Sequence, residues 1–352
     1  MSKFINKKLS MVTAYVPGEQ PQDKQYIKLN TNESPFKVSK KVKKVISLEL
    51  DKVQLYPDPD LKELTKTVAD YLGVKPQNVL MTNGSDEILN FAFMAYCDDK
   101  TPAVFADITY GFYKVFAEIN GVPYKTIKLK DDFTIDVNDF FNQKSTIFIA
   151  NPNAPTGINL SLDKIKSVLI NNKDNIVVID EAYVDFGGES AVKLIDEYDN
   201  LLVTRTFSKS RSMAGARLGF GVANEKLIAD LNTVKYSTNP YNVNRLTEKL
   251  GIVSIKDDKY FTSCVREIVR VREKTIKELN DLGFFTTETK TNFIFAKSDK
   301  IDGETLYKKL KEKGILVRYF SSERIKEFVR ISVGTEKQMN TLIKAIKEIL
   351  GE

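Results

Sequence analysis

The segment Thr206-Phe207-Ser208-Lys209-Ser210-Arg211-Ser212-Met213-Ala214-Gly215-Ala216-Arg217-Leu218-Gly219 places a lysine among small residues, just after an apolar run that reads as a buried strand. A primary amine in such a setting can approach a planar ligand closely and act as nucleophile or proton carrier. Upstream, Val177-Val178-Ile179-Asp180-Glu181-Ala182-Tyr183 sets a carboxylate at the carboxyl end of another apolar run. Open α/β sheets bind their ligands at such strand ends. Asn83-Gly84-Ser85-Asp86-Glu87 follows a third run and opens a helical pattern, and backbone N–H groups at a helix start can hold a phosphate. Taken singly, these are equally an ordinary loop lysine, a solvated acidic turn and a plain helix cap. The chain has no histidine, which removes Ser-His-Asp triads, His-ligated metals and imidazole bases together. An acid–base group here must be Lys, Asp, Glu, Tyr or Cys.

The elements that would position these residues are short β-rich runs at Val79–Thr82, Ala103–Ala106, Thr146–Ala150, Ile176–Ile179 and Leu201–Thr204, bounded by polar or Gly/Pro turns. Continuous apolar runs of this length suit strands buried on both faces, and the amphipathic helical stretches between them predict an α/β fold with a mostly parallel, doubly wound sheet. After Gly221 the pattern changes to long charged helices such as Cys264–Leu282, two β-like segments at Asn292–Ala296 and Val329–Ser332, and a final helix at Glu336–Leu350. That reads as a smaller α+β domain. The expected division is a large domain over residues 46–254, with residues 1–45 and 255–352 forming an amino-terminal arm and the small domain.

With 352 residues, 42% hydrophobic and 28% charged, the chain has apolar material for both cores. The net charge of +6 is spread along the sequence without a basic run, so nucleic-acid binding is not expected and a mild pull on small anions is. Cys97 and Cys264 lie far apart, which suggests neither a disulfide framework nor a cysteine-rich metal site. Residues 1–10 are too polar for a signal peptide, and no later segment has the length of a membrane span. A soluble, cytoplasmic protein is expected.

The lysine and aspartate segments, in this order, resemble those of fold-type I pyridoxal-phosphate enzymes, and Thr206 to Gly215 is similar to the subgroup that includes histidinol-phosphate aminotransferases. The resemblance extends along nearly the whole chain. It implies pyridoxal 5'-phosphate as cofactor, Lys209 as its covalent anchor, and Asp180 as partner of the ring nitrogen, keeping it protonated so that the ring draws electrons. It further implies Tyr183 on the ring's phenolic oxygen, Tyr110 stacked on the ring, and a phosphate site from Ser208, Arg217 and the Gly84-Ser85-Asp86 helix start. Leu55-Tyr56-Pro57-Asp58 resembles a segment whose tyrosine reaches the cofactor of a neighbouring subunit, implying a homodimer. Asn151-Pro152-Asn153-Ala154-Pro155-Thr156-Gly157 matches the family's Asn- and Pro-rich turn, except that Ala154 stands where an asparagine is common. The role of that asparagine then falls to Asn153, or a larger share of it to Tyr183.

Phe328-Val329-Arg330-Ile331-Ser332-Val333-Gly334 resembles the strand whose arginine grips a substrate carboxylate. Leu316-Val317-Arg318 resembles the position of an arginine that contacts a substrate phosphate. Tyr15 with Pro17-Gly18, and Asn32 within Leu29-Asn30-Thr31-Asn32-Glu33-Ser34-Pro35, resemble the amino-terminal arm of the same subgroup. The implied reaction exchanges an amino group between L-histidinol phosphate and 2-oxoglutarate, with Lys209 carrying the proton at substrate Cα. An aromatic amino-acid aminotransferase and a threonine-phosphate decarboxylase share the lysine, aspartate and phosphate site. An acyl-transferring synthase usually stacks a histidine on the ring, and none exists here. From another class, the chain could be a cofactor-binding regulator or an inactive paralogue, and the presence of Lys209 with Asp180 argues against both.

Overall fold

A computed structural model describes residues 2–10 and 12–352, with only the backbone of Lys7. Among them, β1 (Val79–Thr82), β2 (Ala103–Ala106), β3 (Tyr124–Ile127), β4 (Thr146–Ala150), β5 (Val177–Asp180), β6 (Leu201–Thr206) and β7 (Gly219–Ala223) form a sheet in the order β1-β7-β6-β5-β4-β2-β3. Its strands are parallel except β7, which runs antiparallel between β6 and β1. Successive residues feed opposite faces. Val177, Ile179, Leu201 and Val203 join one buried apolar cluster, and Val178 and Leu202 join the other. This is why the sequence shows unbroken apolar runs here.

Three strands match the expected bounds; β5 starts one residue later, and β6 extends to Thr206. β3 and β7 are not expected from the sequence. β3 is an edge strand whose first three residues are exposed, so it shows no apolar run. β7 reads Gly-Phe-Gly-Val-Ala, a poor strand by propensity, because its glycines admit the helix Ser85–Tyr96. A Cβ on Gly219 would fall 2.4 Å from Ser85 N, and one on Gly221 2.8 Å from Ile88 Cδ1.

The second sheet is antiparallel, ordered β10-β11-β9-β8 from β8 (Phe284–Thr286), β9 (Phe293–Ser298), β10 (Arg318–Tyr319) and β11 (Phe328–Ser332). Its core includes Ile268, Phe293, Val329 and Leu342, together with Leu29. Leu29 belongs there because Ile27–Lys28 pairs with Ile315–Leu316 and Ser332 N donates to Leu29 O at 2.8 Å. These bonds carry residues 30–32 to the junction of the two cores. Among the described residues, no helix is long and apolar enough to cross a membrane.

Candidate active site

Lys209 sits in a turn whose neighbours are tied into the body of the protein. Ser208 N donates to Thr206 Oγ1 at 3.1 Å, and Met213 N to Phe207 O at 3.1 Å. Ser210 Oγ donates to Asp185, whose other oxygen takes the Arg205 guanidinium. Arg211 donates to Ser254 O at 3.1 Å and pairs with Asp258 at 2.7 Å. Burial opposes ionisation of Asp185, but Arg205, Ser210 and Arg211 outweigh it and hold the carboxyl below its usual range. With its flanks fixed, Lys209 projects the other way. Its Nζ donates to Thr31 O at 3.4 Å and lies 5.7 Å from the centre of the Tyr183 ring.

Lys209 forms part of the wall of two cavities. The smaller, about 160 Å³, is lined by Ser85, Asp86, Tyr110, Ala154, Asp180, Tyr183, Thr206, Ser208, Lys209 and Arg217, among others. Asp180 is the last residue of β5, the middle strand, and is buried. Its Oδ2 accepts from Tyr113 Oη at 2.9 Å and its Oδ1 from Ala182 N at 3.2 Å. Burial pushes its carboxyl up to about 6, assisted by the charge of Asp86 and resisted by Tyr113, Ala182 and Lys209. A buried carboxylate with no cation bonded to it among the described residues suits a protonated ring nitrogen. Tyr183 Oη accepts from Asn32 Nδ2 at 2.9 Å, leaving its own proton free to be donated.

At the other end, Gly84 precedes the helix Ser85–Tyr96 with φ 79°. A Cβ on Gly84 would fall 2.7 Å from Arg217 Nη2, so glycine lets the guanidinium lie over the helix start. Arg217 itself sits at φ 54°. It pairs with Asp86 at 2.9 Å and lies 3.5 Å from Ser208 Oγ. Free helix-start N–H groups, a hydroxyl and a guanidinium converge here, a donor set that fits a phosphate group. Asp86 contributes its backbone to that set; its carboxylate accepts from Arg217 and from Tyr110 Oη at 2.7 Å. The residues present fit pyridoxal phosphate at both ends.

The larger cavity, about 500 Å³, is bounded by Tyr15, Asn32, Tyr110, Lys209, Phe320, Arg318 and Arg330, among others. Arg318 and Arg330 are direct partners across β10 and β11. Like charges in that relation repel, and among the described residues neither makes an ion pair. Arg318 donates to Val16 O at 3.0 Å and Pro17 O at 3.1 Å, while Arg330 donates to Asn30 O at 3.1 Å and leaves Nε unbonded. Burial lowers the Arg330 pKa. Two opposed, incompletely satisfied guanidiniums make a site for anions.

Two residues expected at the site are not brought to the cavities. Asn153 turns into its own loop. Its amide donates to Ile108 O at 3.0 Å and Thr156 Oγ1 at 2.9 Å, and its carbonyl accepts from Thr109 Oγ1 at 2.9 Å. Ala154, not Asn153, lines the smaller cavity, so Asn153 does not take over the role of an asparagine at that position. Instead Asn32, from the arm, bonds Tyr183. Tyr56 is 76% exposed and stacked on Tyr241 at 4.5 Å, away from both cavities of its own chain. Conversely, the sequence alone does not single out Thr31, Thr206 or Tyr113. A tyrosine one helical turn beyond Tyr110 is the only trace of Tyr113.

Residues 24–346 match the family of class I and II aminotransferases, and the chain belongs to that family. It is 50% identical over 352 residues to a histidinol-phosphate aminotransferase of Brachyspira hyodysenteriae, covering 99% of each chain. It is 46% identical over 351 residues to the enzyme of that name from Clostridium acetobutylicum, covering 99% of this chain and 100% of the relative. The solved structure of histidinol-phosphate aminotransferase from Sinorhizobium meliloti in complex with pyridoxal-5'-phosphate aligns with a TM-score of 0.90 at 20% identity, over 100% of this chain and 98% of that one. That likeness speaks for the fold, the fold-type I architecture with its mostly parallel sheet.

Proposed function

We propose that the chain is a histidinol-phosphate aminotransferase of histidine biosynthesis. It passes the amino group of L-histidinol phosphate to 2-oxoglutarate, giving imidazole-acetol phosphate and glutamate, with pyridoxal 5'-phosphate held on Lys209. The observation that carries this reading is the meeting of the two cavities at Lys209: one ends in a carboxylate and a phosphate cup, the other in two opposed arginines. Full-length relatives at 50% and 46% identity that bear this name support it.

When bound, pyridoxal phosphate supplies a conjugated ring that takes up the electron pair released at substrate Cα. Lys209 would anchor it and carry the proton at substrate Cα. Asp180 holds the proton on the ring nitrogen. Tyr183, supported by Asn32, donates to the phenolic oxygen. Ser85, Ser208 and Arg217 hold the phosphate, and Tyr110 covers the ring. Tyr15 closes the substrate cavity, where Arg330 holds a carboxylate and Arg318 a phosphate.

The test is kcat/KM for histidinol phosphate, phenylalanine and glutamate in wild type and Arg318→Ala. A charge-assisted contact is worth about 1.5–3 kcal/mol, so histidinol phosphate should lose roughly one to two powers of ten. Phenylalanine should lose little. Equal losses for all three would favour an aromatic aminotransferase instead, and release of carbon dioxide from threonine phosphate would favour the decarboxylase.

The same reading includes a homodimer in which Tyr56 serves the partner's cofactor, and a division at residues 46–254 against 1–45 with 255–352. The separate apolar cores support that division, although Ala154, Tyr183 and Phe186 join the small-domain core from across it and Ile255 joins the large-domain core. A protease nick falling inside either core before the junction would contradict it. A cytoplasmic location agrees with two free, buried cysteines; an exported pool on cell fractionation would count against it.

A further inference from the structure

We infer that Tyr113 is a positioning residue for Asp180: its hydroxyl aims the carboxylate at the cofactor ring and keeps it ionised. This rests on the role of Asp180 given above. Tyr113 has no solvent exposure, and its ring lies 5.7 Å from those of both Phe105 and Phe148, in a cluster that also holds Phe91, Phe93 and Phe116. Phenylalanine would satisfy that packing. A hydroxyl added there is destabilising unless an acceptor meets it, and Asp180 Oδ2 does so at 2.9 Å.

The carboxylate is thus fixed through both oxygens, by Tyr113 on one and Ala182 N on the other. Its plane is set before any ligand arrives. The charged groups that act on Asp180 are Asp86, which disfavours ionisation, and Lys209, which favours it. Asp86 is itself engaged by Arg217 and Tyr110. Tyr113 is therefore the only neutral side-chain donor acting on Asp180 among the described residues. Tyr113 also meets Tyr110 edge-on at 5.7 Å and 88°, and its N–H donates to Tyr110 O at 3.2 Å. One residue braces both the carboxylate and the tyrosine proposed to cover the ring.

Tyr113→Phe keeps the ring and removes one donor. The experiment measures the dissociation constant of pyridoxal phosphate from about pH 5 to about pH 9, with kcat and KM for glutamate, in wild type, Tyr113→Phe, Asp180→Asn and the double variant. The single Tyr113 variant should bind the cofactor on the order of tenfold more weakly at neutral pH. Its acid limb should move to higher pH, and kcat should fall while KM holds. In the Asp180→Asn background the same substitution should change nothing further, because its effect runs through the carboxylate. Equal weakening in both backgrounds, or an unmoved acid limb, would make Tyr113 a packing residue and overturn the inference. If Asp180→Asn alone left affinity and turnover intact, the role of Asp180 would itself be wrong and the inference would fall with it.

Discussion

Asp180 is buried at the end of β5, and that burial pushes its carboxyl up to about 6. Because the folded value lies above the ordinary one, the folded protein binds the proton more tightly than the unfolded chain. Stability therefore falls as pH rises from about 4 to about 6 and stays lowered above that window. In cofactor-free protein, Asp180→Asn should accordingly unfold at a higher midpoint than wild type near pH 7.5, by on the order of 1–3 kcal/mol, the gain vanishing near pH 4. A variant less stable than wild type at the higher pH would contradict this. Lys209 and Asp180 stand out in the sequence because small residues and a strand end leave a local trace, whereas Arg217 enters only through the family resemblance. Asn32 bonding Tyr183 is not legible, since the two lie far apart in the chain and meet only when the arm joins the small sheet. The turn of Asn153 away from the cavity is not legible for a related reason. Sequence order puts it beside Ala154, but the loop turns its amide to Ile108 and Thr156.

The strands whose residues are buried on both faces were legible as apolar runs, whereas β3, exposed along most of its length, and glycine-rich β7 were not. The helix Lys40–Glu49 and the segment after it show the opposite signal. The helix buries only Val42, while Leu48, Leu50, Val53, Leu55 and Tyr56 are each at least half exposed. Arg245 holds the backbone of Leu55 and Tyr56 in place at 3.4 Å and 2.8 Å. Exposed apolar side chains along one segment with a fixed backbone suit a subunit interface. Sedimentation at micromolar concentration should show a dimer, and Leu50→Asp with Leu55→Asp should shift it toward monomer with loss of turnover. A stable monomer with full activity would refute both the interface and the role of Tyr56.

At the scale of the molecule, the active site lies where the sheet of one core meets the arm and strands of the other. Thr31, Asn32, Asp180, Ala182, Tyr183, Lys209 and Arg330 converge there from across the chain. The passage of the chain from the first sheet to the second is legible from the change of pattern after Gly221. The substrate cavity is not, because its shape depends on Tyr15, Phe320 and the two arginines meeting across that junction. On the proposed function, Lys209 and the opposed arginines serve amino transfer from a phosphorylated donor. The most direct test is a single turnover, in which the cofactor-loaded protein is mixed with L-histidinol phosphate and no acceptor, and both the cofactor absorbance and the keto product are followed. Complete loss of the visible band, one imidazole-acetol phosphate formed per subunit, slower reaction with phenylalanine, and no keto product from Lys209→Ala are expected. An unchanged band with histidinol phosphate, or phenylalanine reacting faster, would contradict the proposed function.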